Sequence, residues 1–227
     1  MRDSLLLWDI DGTLVCTDRA GERSLLILVR ELYGRDLGDK LPVSLQGRTD
    51  TSIARDILNY LGVPATPEEV GRIRDAYIAL LPKTLPAGKA KLHPGIREAL
   101  DAVHAHPEIH QGLLTGNRAA GAQLKLSHLG IWHYFEFGAY AEDSHDRNEL
   151  GPFALARAKE KLGITFPPDR VYIIGDTPHD IACGKAIGAK TIAVATGSFS
   201  VAQLEAEQTT HTFADLSDTE ALLRVVL

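Results

Sequence analysis

The chain has 227 residues, 44% of them hydrophobic and 24% charged, with a formal net charge of -6. That length is enough for a sizeable core in one or two domains. An acidic balance without a long basic run excludes a nucleic-acid partner, and the first apolar run is too short for a signal core or a membrane span.

Leu5-Leu6-Leu7-Trp8 has the continuous apolar character of a strand buried on both faces of a parallel sheet. It ends in Asp9 and Asp11, which strand alternation puts on one side of the chain, and Gly12 permits a tight turn away. Ligands of open α/β sheets bind at the carboxyl ends of such strands. Two anions this close require a divalent cation or a shared proton. A calcium loop would need further oxygen ligands at alternate positions and a closing Glu, whereas Thr13, Val15 and Thr17 follow here.

Thr17 then offers an N-cap for a helix over 18–33, which Gly34 stops. Gly38, Pro42 and Gly47 mark residues 35–47 as irregular. The spacing of Asp50, Ile53, Ile57 and Leu61 predicts a second helix over 49–61. Pro67, Glu68 and Glu69 open a third that runs to 81, before Pro82. No strand is expected between 15 and 90. Farther on, helix and strand alternate, with helices over 95–105, 118–129, 151–162 and 178–187 and strands over 110–115, 134–138, 171–175 and 190–194. Such repeats imply an α/β fold, a doubly wound parallel (Rossmann-like) sheet core. The expected division is a core of 1–14 and 91–227 with 15–90 inserted as an α-helical cap. Cys16 and Cys183 lie far apart and outside any Cys-x-x-Cys pair, which suits unpaired thiols in a cytoplasmic protein.

The later core strands also end in groups that carry chemistry. Thr115-Gly116-Asn117 places a hydroxyl and turn amides at a helix start, an arrangement that binds anions. Asp176 and Asp180 stand four apart across another helix start, and beside Asp9 and Asp11 they can complete an oxygen-ligand set for Mg²⁺. Arg147, just before the helix at 151, supplies a cation.

Together these segments resemble the motifs of the haloacid dehalogenase-like hydrolase superfamily, in its phosphoglycolate phosphatase-like branch with a helical cap. Asp9-Ile10-Asp11-Gly12-Thr13-Leu14 matches the first motif, Leu114-Thr115-Gly116-Asn117 resembles the second, and Gly175-Asp176-Thr177-Pro178-His179-Asp180 matches the fourth. The third motif departs from the usual Lys followed by Pro-x-Pro, and Arg147 with Pro152 stands in its register. Gln46-Gly47-Arg48-Thr49-Asp50 is similar to the family's cap segment after the first helix.

The resemblance implies an Mg²⁺-dependent phosphatase that hydrolyses a small phosphomonoester through an aspartyl-phosphate. In that scheme Asp9 is the nucleophile and Asp11 the acid and base. Asp9, the Asp11 backbone carbonyl and Asp176 hold the metal. Thr115, Gly116, Asn117 and Arg147 hold the phosphoryl oxygens, Asp180 supports them, and Arg48 meets an anionic substrate end from the cap. The same motifs admit a phosphomutase of the phosphoglucomutase type, or a non-catalytic phosphate-binding module of the same fold.

Overall fold

Strand β1 (Ser4–Trp8) is buried along its whole length, as its unbroken apolar run requires. The computed structural model describes residues 3–86 and 89–227. Residues 1, 2, 87 and 88, which belong to the stretches expected to form core and cap, lie outside the described residues. After β1 come two short strands, β2 (Val15–Cys16) and β3 (Lys91–Leu92), which pair antiparallel with each other. The remaining strands are β4 (Ile109–Leu114), β5 (Gly138–Ala139), β6 (Val171–Gly175), β7 (Lys190–Val194) and β8 (His211–Phe213). Together with β1 they form a six-stranded sheet in the order β5-β4-β1-β6-β7-β8, with every pairing parallel.

This order positions the site. β1 lies between β4 and β6, with Leu7 opposite Gly112 on one side and Ile173 on the other. The strand order therefore reverses at β1, and the loops after β1, β4 and β6 open side by side at one edge of the sheet. Alternation along β1 divides its side chains between two cores. Leu6 and Trp8 pack into one apolar cluster, and Leu5 and Leu7 into another on the opposite face. Burying one such Leu is worth roughly 1.5–3 kcal/mol, so the strand is strongly held in register.

Helices α1 (Ala20–Tyr33), α2 (Asp50–Leu61) and α3 (Pro67–Thr84) gather an apolar cluster of their own around Leu28, Ile57, Leu58, Ile73 and Leu81. Helices α4 (Ile96–Ala105) and α5 (Ala119–His128) cover the Trp8 face, while α6 (Leu150–Leu162) and α7 (Pro178–Ala186) cover the Leu7 face. Two further helices, α8 (Val201–Ala206) and α9 (Thr219–Val226), complete the chain, α9 packing on the Trp8 face through Leu222 and Val226.

Several expectations need correction. Thr17 does not cap α1: Asp18 and Arg19 both take left-handed backbone, and Arg19 occupies the N-cap without a side-chain bond. α3 runs through Pro82 to Thr84, whose hydroxyl donates to the Leu81 carbonyl and meets the Ser24 hydroxyl at 2.7 Å. The strand expected over 134–138 is confined to 138–139, since Tyr134 belongs to a 3-10 turn that buries its ring. Residues 15–90 do contain a strand, β2, whose two residues are too few for any periodicity to register. It pairs with β3, so the chain entering the three-helix layer lies against the chain leaving it.

Candidate active site

Three strand-end segments converge where the strand order reverses. Asp9 follows β1 directly, and its backbone N–H donates to the Ile174 carbonyl of β6 at 2.9 Å. Thr115 follows β4, and its backbone N–H donates to the carbonyl of Ala139 in β5. Asp176 follows β6, and Thr177 caps α7 in a reciprocal capping box with Asp180. Oxygens of Asp9, Asp176 and Asp180 all lie within 4.8 Å of one another, and all three residues are buried.

Arg147 enters this carboxylate cluster from the turn before α6. Its Nη2 donates to Asp9 Oδ1 at 2.7 Å and to Asp180 Oδ1 at 2.5 Å, and its side chain is only 6% exposed. Burial pushes the Asp9 carboxyl up to about 6; Arg147 opposes the shift and Asp180 adds to it. Asp176 is raised as well, first by burial and then by Asp180 and Asp9.

Three carboxylates against one guanidinium leave an excess of negative charge among oxygen donors, which suits a hard divalent cation such as Mg²⁺. Space beside Asp176 is kept by glycine. A Cβ on Gly12 or on Gly197 would run into the Asp176 carboxylate. Gly12 also takes φ 89°, a region that side chains strain to adopt. Gly12→Ala is expected to destabilise the protein by about 1–3 kcal/mol and to displace Asp176. A denaturant midpoint measured beside the rate of aryl phosphate hydrolysis checks this, since both should fall.

Asp11 differs from the expected picture. Its carboxylate is absent from the cluster and turns the other way, where Oδ2 accepts from Lys125 Nζ at 2.5 Å and from Asn117 Nδ2 at 2.8 Å. Two neighbouring anions were expected to share a cation or a proton, but each instead has a cation of its own, Arg147 for Asp9 and Lys125 for Asp11. Asp180, expected as support, is the third carboxylate of the cluster.

Lys125 escaped the sequence reading. It is nearly fully buried in α5 and also donates to Asn117 Oδ1 at 2.6 Å. Burial is the largest single effect on it and lowers its pKa, but Asp11, Tyr77 and Asp50 together outweigh burial and raise it, so it stays charged. Asp50 is itself pushed up to about 6 by burial, with Lys125 pulling the other way. One signal for Lys125 was available. It falls four residues after Gly121 and beside Leu126, on the buried face of α5.

Thr115 is fully buried, and its hydroxyl oxygen accepts from the Asn117 amide at 3.3 Å and from Asn117 Nδ2 at 2.9 Å. Gly116 is required by the segment packed on it, because a Cβ there would strike the Arg48 carbonyl. That segment crosses from the three-helix layer. The Asp50 N–H donates to the Gly116 carbonyl at 2.7 Å, and the Thr49 hydroxyl to the His145 carbonyl at 2.8 Å. The helical layer is therefore closed over the strand ends, enclosing a cavity of about 670 Å³ that reaches from Asp9 and Asp176 to Leu41, Ile53, Ile73 and Tyr77. Arg48 lines this cavity, but its guanidinium is already paired with Asp56 at 2.7 Å.

The chain is similar to several known proteins. It is 24% identical over 208 residues to "Probable phosphatase IndB" of Dickeya dadantii, covering 90% of this chain and 86% of that protein. It is 21% identical over 189 residues to the fructose-1-phosphate phosphatase YqaB of Escherichia coli, covering 83% and 95% respectively. Among solved structures, a hydrolase from Pseudomonas syringae matches with TM-score 0.73 and 18% identity over 98% of both chains, a likeness of fold. The model of the haloacid dehalogenase-like hydrolases matches residues 6–194, a span from β1 to the end of β7 that holds every strand-end segment described above, and the chain belongs to that family.

Proposed function

We propose that this protein is a Mg²⁺-dependent phosphatase that hydrolyses a small phosphate ester through a phosphorylated Asp9. The observation that carries this reading is the buried Asp9–Asp176–Asp180 cluster with Arg147 donating into it, at the edge where the strand order reverses. The names of the two curated relatives given above, a probable phosphatase and a fructose-1-phosphate phosphatase, point the same way.

In this reading Asp9 attacks phosphorus, having been aimed by the Arg147 guanidinium and by its own backbone bond to Ile174. Asp9, Asp176 and the Asp11 carbonyl would hold the metal, which when bound neutralises charge on the phosphoryl oxygens. Thr115, the turn at Gly116 and Asn117, and Arg147 receive those oxygens, and Asp180 keeps Arg147 in place. Asp11 enters the first step protonated and gives that proton to the departing alkoxide, and as the resulting carboxylate it takes one from the attacking water in the second. Lys125 and Asn117 both donate to Oδ2 and so orient the side chain in both steps, leaving Oδ1 to carry the proton. The three helices over residues 15–90 serve as a cap on a core of 1–14 and 91–227, excluding water and contacting the rest of the substrate.

Phosphate release from p-nitrophenyl phosphate with Mg²⁺ present tests the reading directly. Excess chelator is expected to lower the rate by about 100-fold or more, and added Mg²⁺ to restore it. Full activity in chelator refutes the metal dependence, and no hydrolysis with Mg²⁺ refutes the phosphatase. A phosphomutase would use the same constellation, and a hexose-phosphate isomerisation assay separates the two.

A further inference from the structure

The cavity is far larger than a phosphoryl group needs, and its positive charges are unevenly matched. Arg19, Lys40, Arg48, Arg74, Lys125 and Arg147 line it. Arg19 is bound to Glu22, Arg48 to Asp56, Lys125 to Asp11 and Arg147 to Asp9 and Asp180. Lys40 is exposed to water. Arg74 is different. It is half-buried on α3, has no carboxylate within ion-pair distance among the described residues, and donates only to the Thr51 hydroxyl, at 3.1 Å. Its Nε is buried without any partner.

A guanidinium withdrawn from water without a countercharge is costly, and an anion entering the cavity offsets that cost. Position identifies the anion. Tyr77, three residues on and on the same helix face, interacts with the Lys125 ammonium, which in turn holds Asp11. Arg74 thus lies about one helical turn, roughly 5 Å, along the wall from Tyr77, which Lys125 connects to the group assigned to protonate the leaving oxygen. We infer that Arg74 receives a second anionic group, a carboxylate or a second phosphate, borne by the leaving group of the substrate. This rests on the phosphatase reading and deepens it. It also moves the anion contact expected of Arg48 to a cation that has no carboxylate partner among the described residues. Arg suits either anion, because its planar fork can donate two parallel bonds.

Two matched pairs of esters test the inference. The first is 3-phosphoglycerate against glycerol 3-phosphate, which differ by a carboxylate. The second is fructose 1,6-bisphosphate against fructose 1-phosphate, which differ by a phosphate. For each pair the readout is the ratio of kcat/KM, charged over uncharged, in wild type and in Arg74→Gln, with Arg74→Lys as the charge-retaining control and circular dichroism checking the fold. The ratio for at least one pair is expected to favour the charged member in wild type and to fall by about 10-fold or more in Arg74→Gln, with partial recovery in Arg74→Lys. The pair that responds identifies the anion. If neither ratio moves by as much as about threefold while p-nitrophenyl phosphate is still hydrolysed, the Arg74 subsite is overturned and the phosphatase reading stands. If wild type hydrolyses no phosphate ester with Mg²⁺ present, the phosphatase reading itself falls, and the subsite with it.

Discussion

Asp9→Asn is expected to lower phosphate release by about a thousandfold or more while leaving the metal-free protein at least as stable as wild type. The first half follows from the proposed chemistry, since an amide is not a competent nucleophile toward phosphorus. The second follows from the site's electrostatics. Burial raises the Asp9 carboxyl to about 6, with Arg147 opposing and Asp180 reinforcing, so the folded protein favours the protonated form more than the unfolded chain does. A carboxyl raised in this direction withdraws stability as pH climbs from its ordinary range through about 6, and at neutral pH the cost is fully present. Asn keeps an oxygen for Arg147 and removes the charge. Thermal melts in chelator, run beside steady-state phosphate release, check both halves. Substantial residual turnover would remove Asp9 as nucleophile, and a large loss of stability would contradict the electrostatic account.

Lys125→Met should separate catalysis from stability in a different way. Met fills the space of the lysine stem but provides no ammonium for Asp11 or Asn117. We expect kcat to fall by about 100-fold, because Asp11 loses the 2.5 Å contact that fixes it for both proton transfers. The stability cost should be small, about 1 kcal/mol, since the Asp11 side chain is 41% exposed and can be hydrated once released. Rapid-quench measurement of the phosphorylated enzyme gives the sharper test. If Asp11 is misplaced, both formation and breakdown of that species slow. An undiminished kcat would leave Lys125 as packing alone.

Much of this arrangement could be read along the chain. β1 was legible because a strand buried on both faces carries an unbroken apolar run, and its end identified Asp9 and Asp11. β6 and β7 fall within the bounds expected of them, and the capping box of Thr177 and Asp180 is written in local spacing. The short elements were not legible. β2, β3 and β8 have two or three residues each, too few for alternation, and the chain after 194 yielded no expected element although it forms two helices and a strand. The break at Arg19, with two left-handed residues in succession, leaves no mark that a Thr nearby would not also explain.

What the linear order of residues determined by itself was the fold class and the set of groups at the strand ends, because both depend on periodicity and on local turn chemistry. Which of those groups meet was decided only in three dimensions. Asp11 was paired in thought with Asp9, yet Lys125, 114 residues away, claims its carboxylate and leaves Asp180 to complete the cluster. Arg48 is paired with Asp56, and Arg74 has no countercharge among the described residues, and neither fact leaves a mark in the local sequence. The physical reason is common to all of these. A charge's role depends on the partners and the water left to it after packing, and packing joins positions whose separation along the chain carries no local signal.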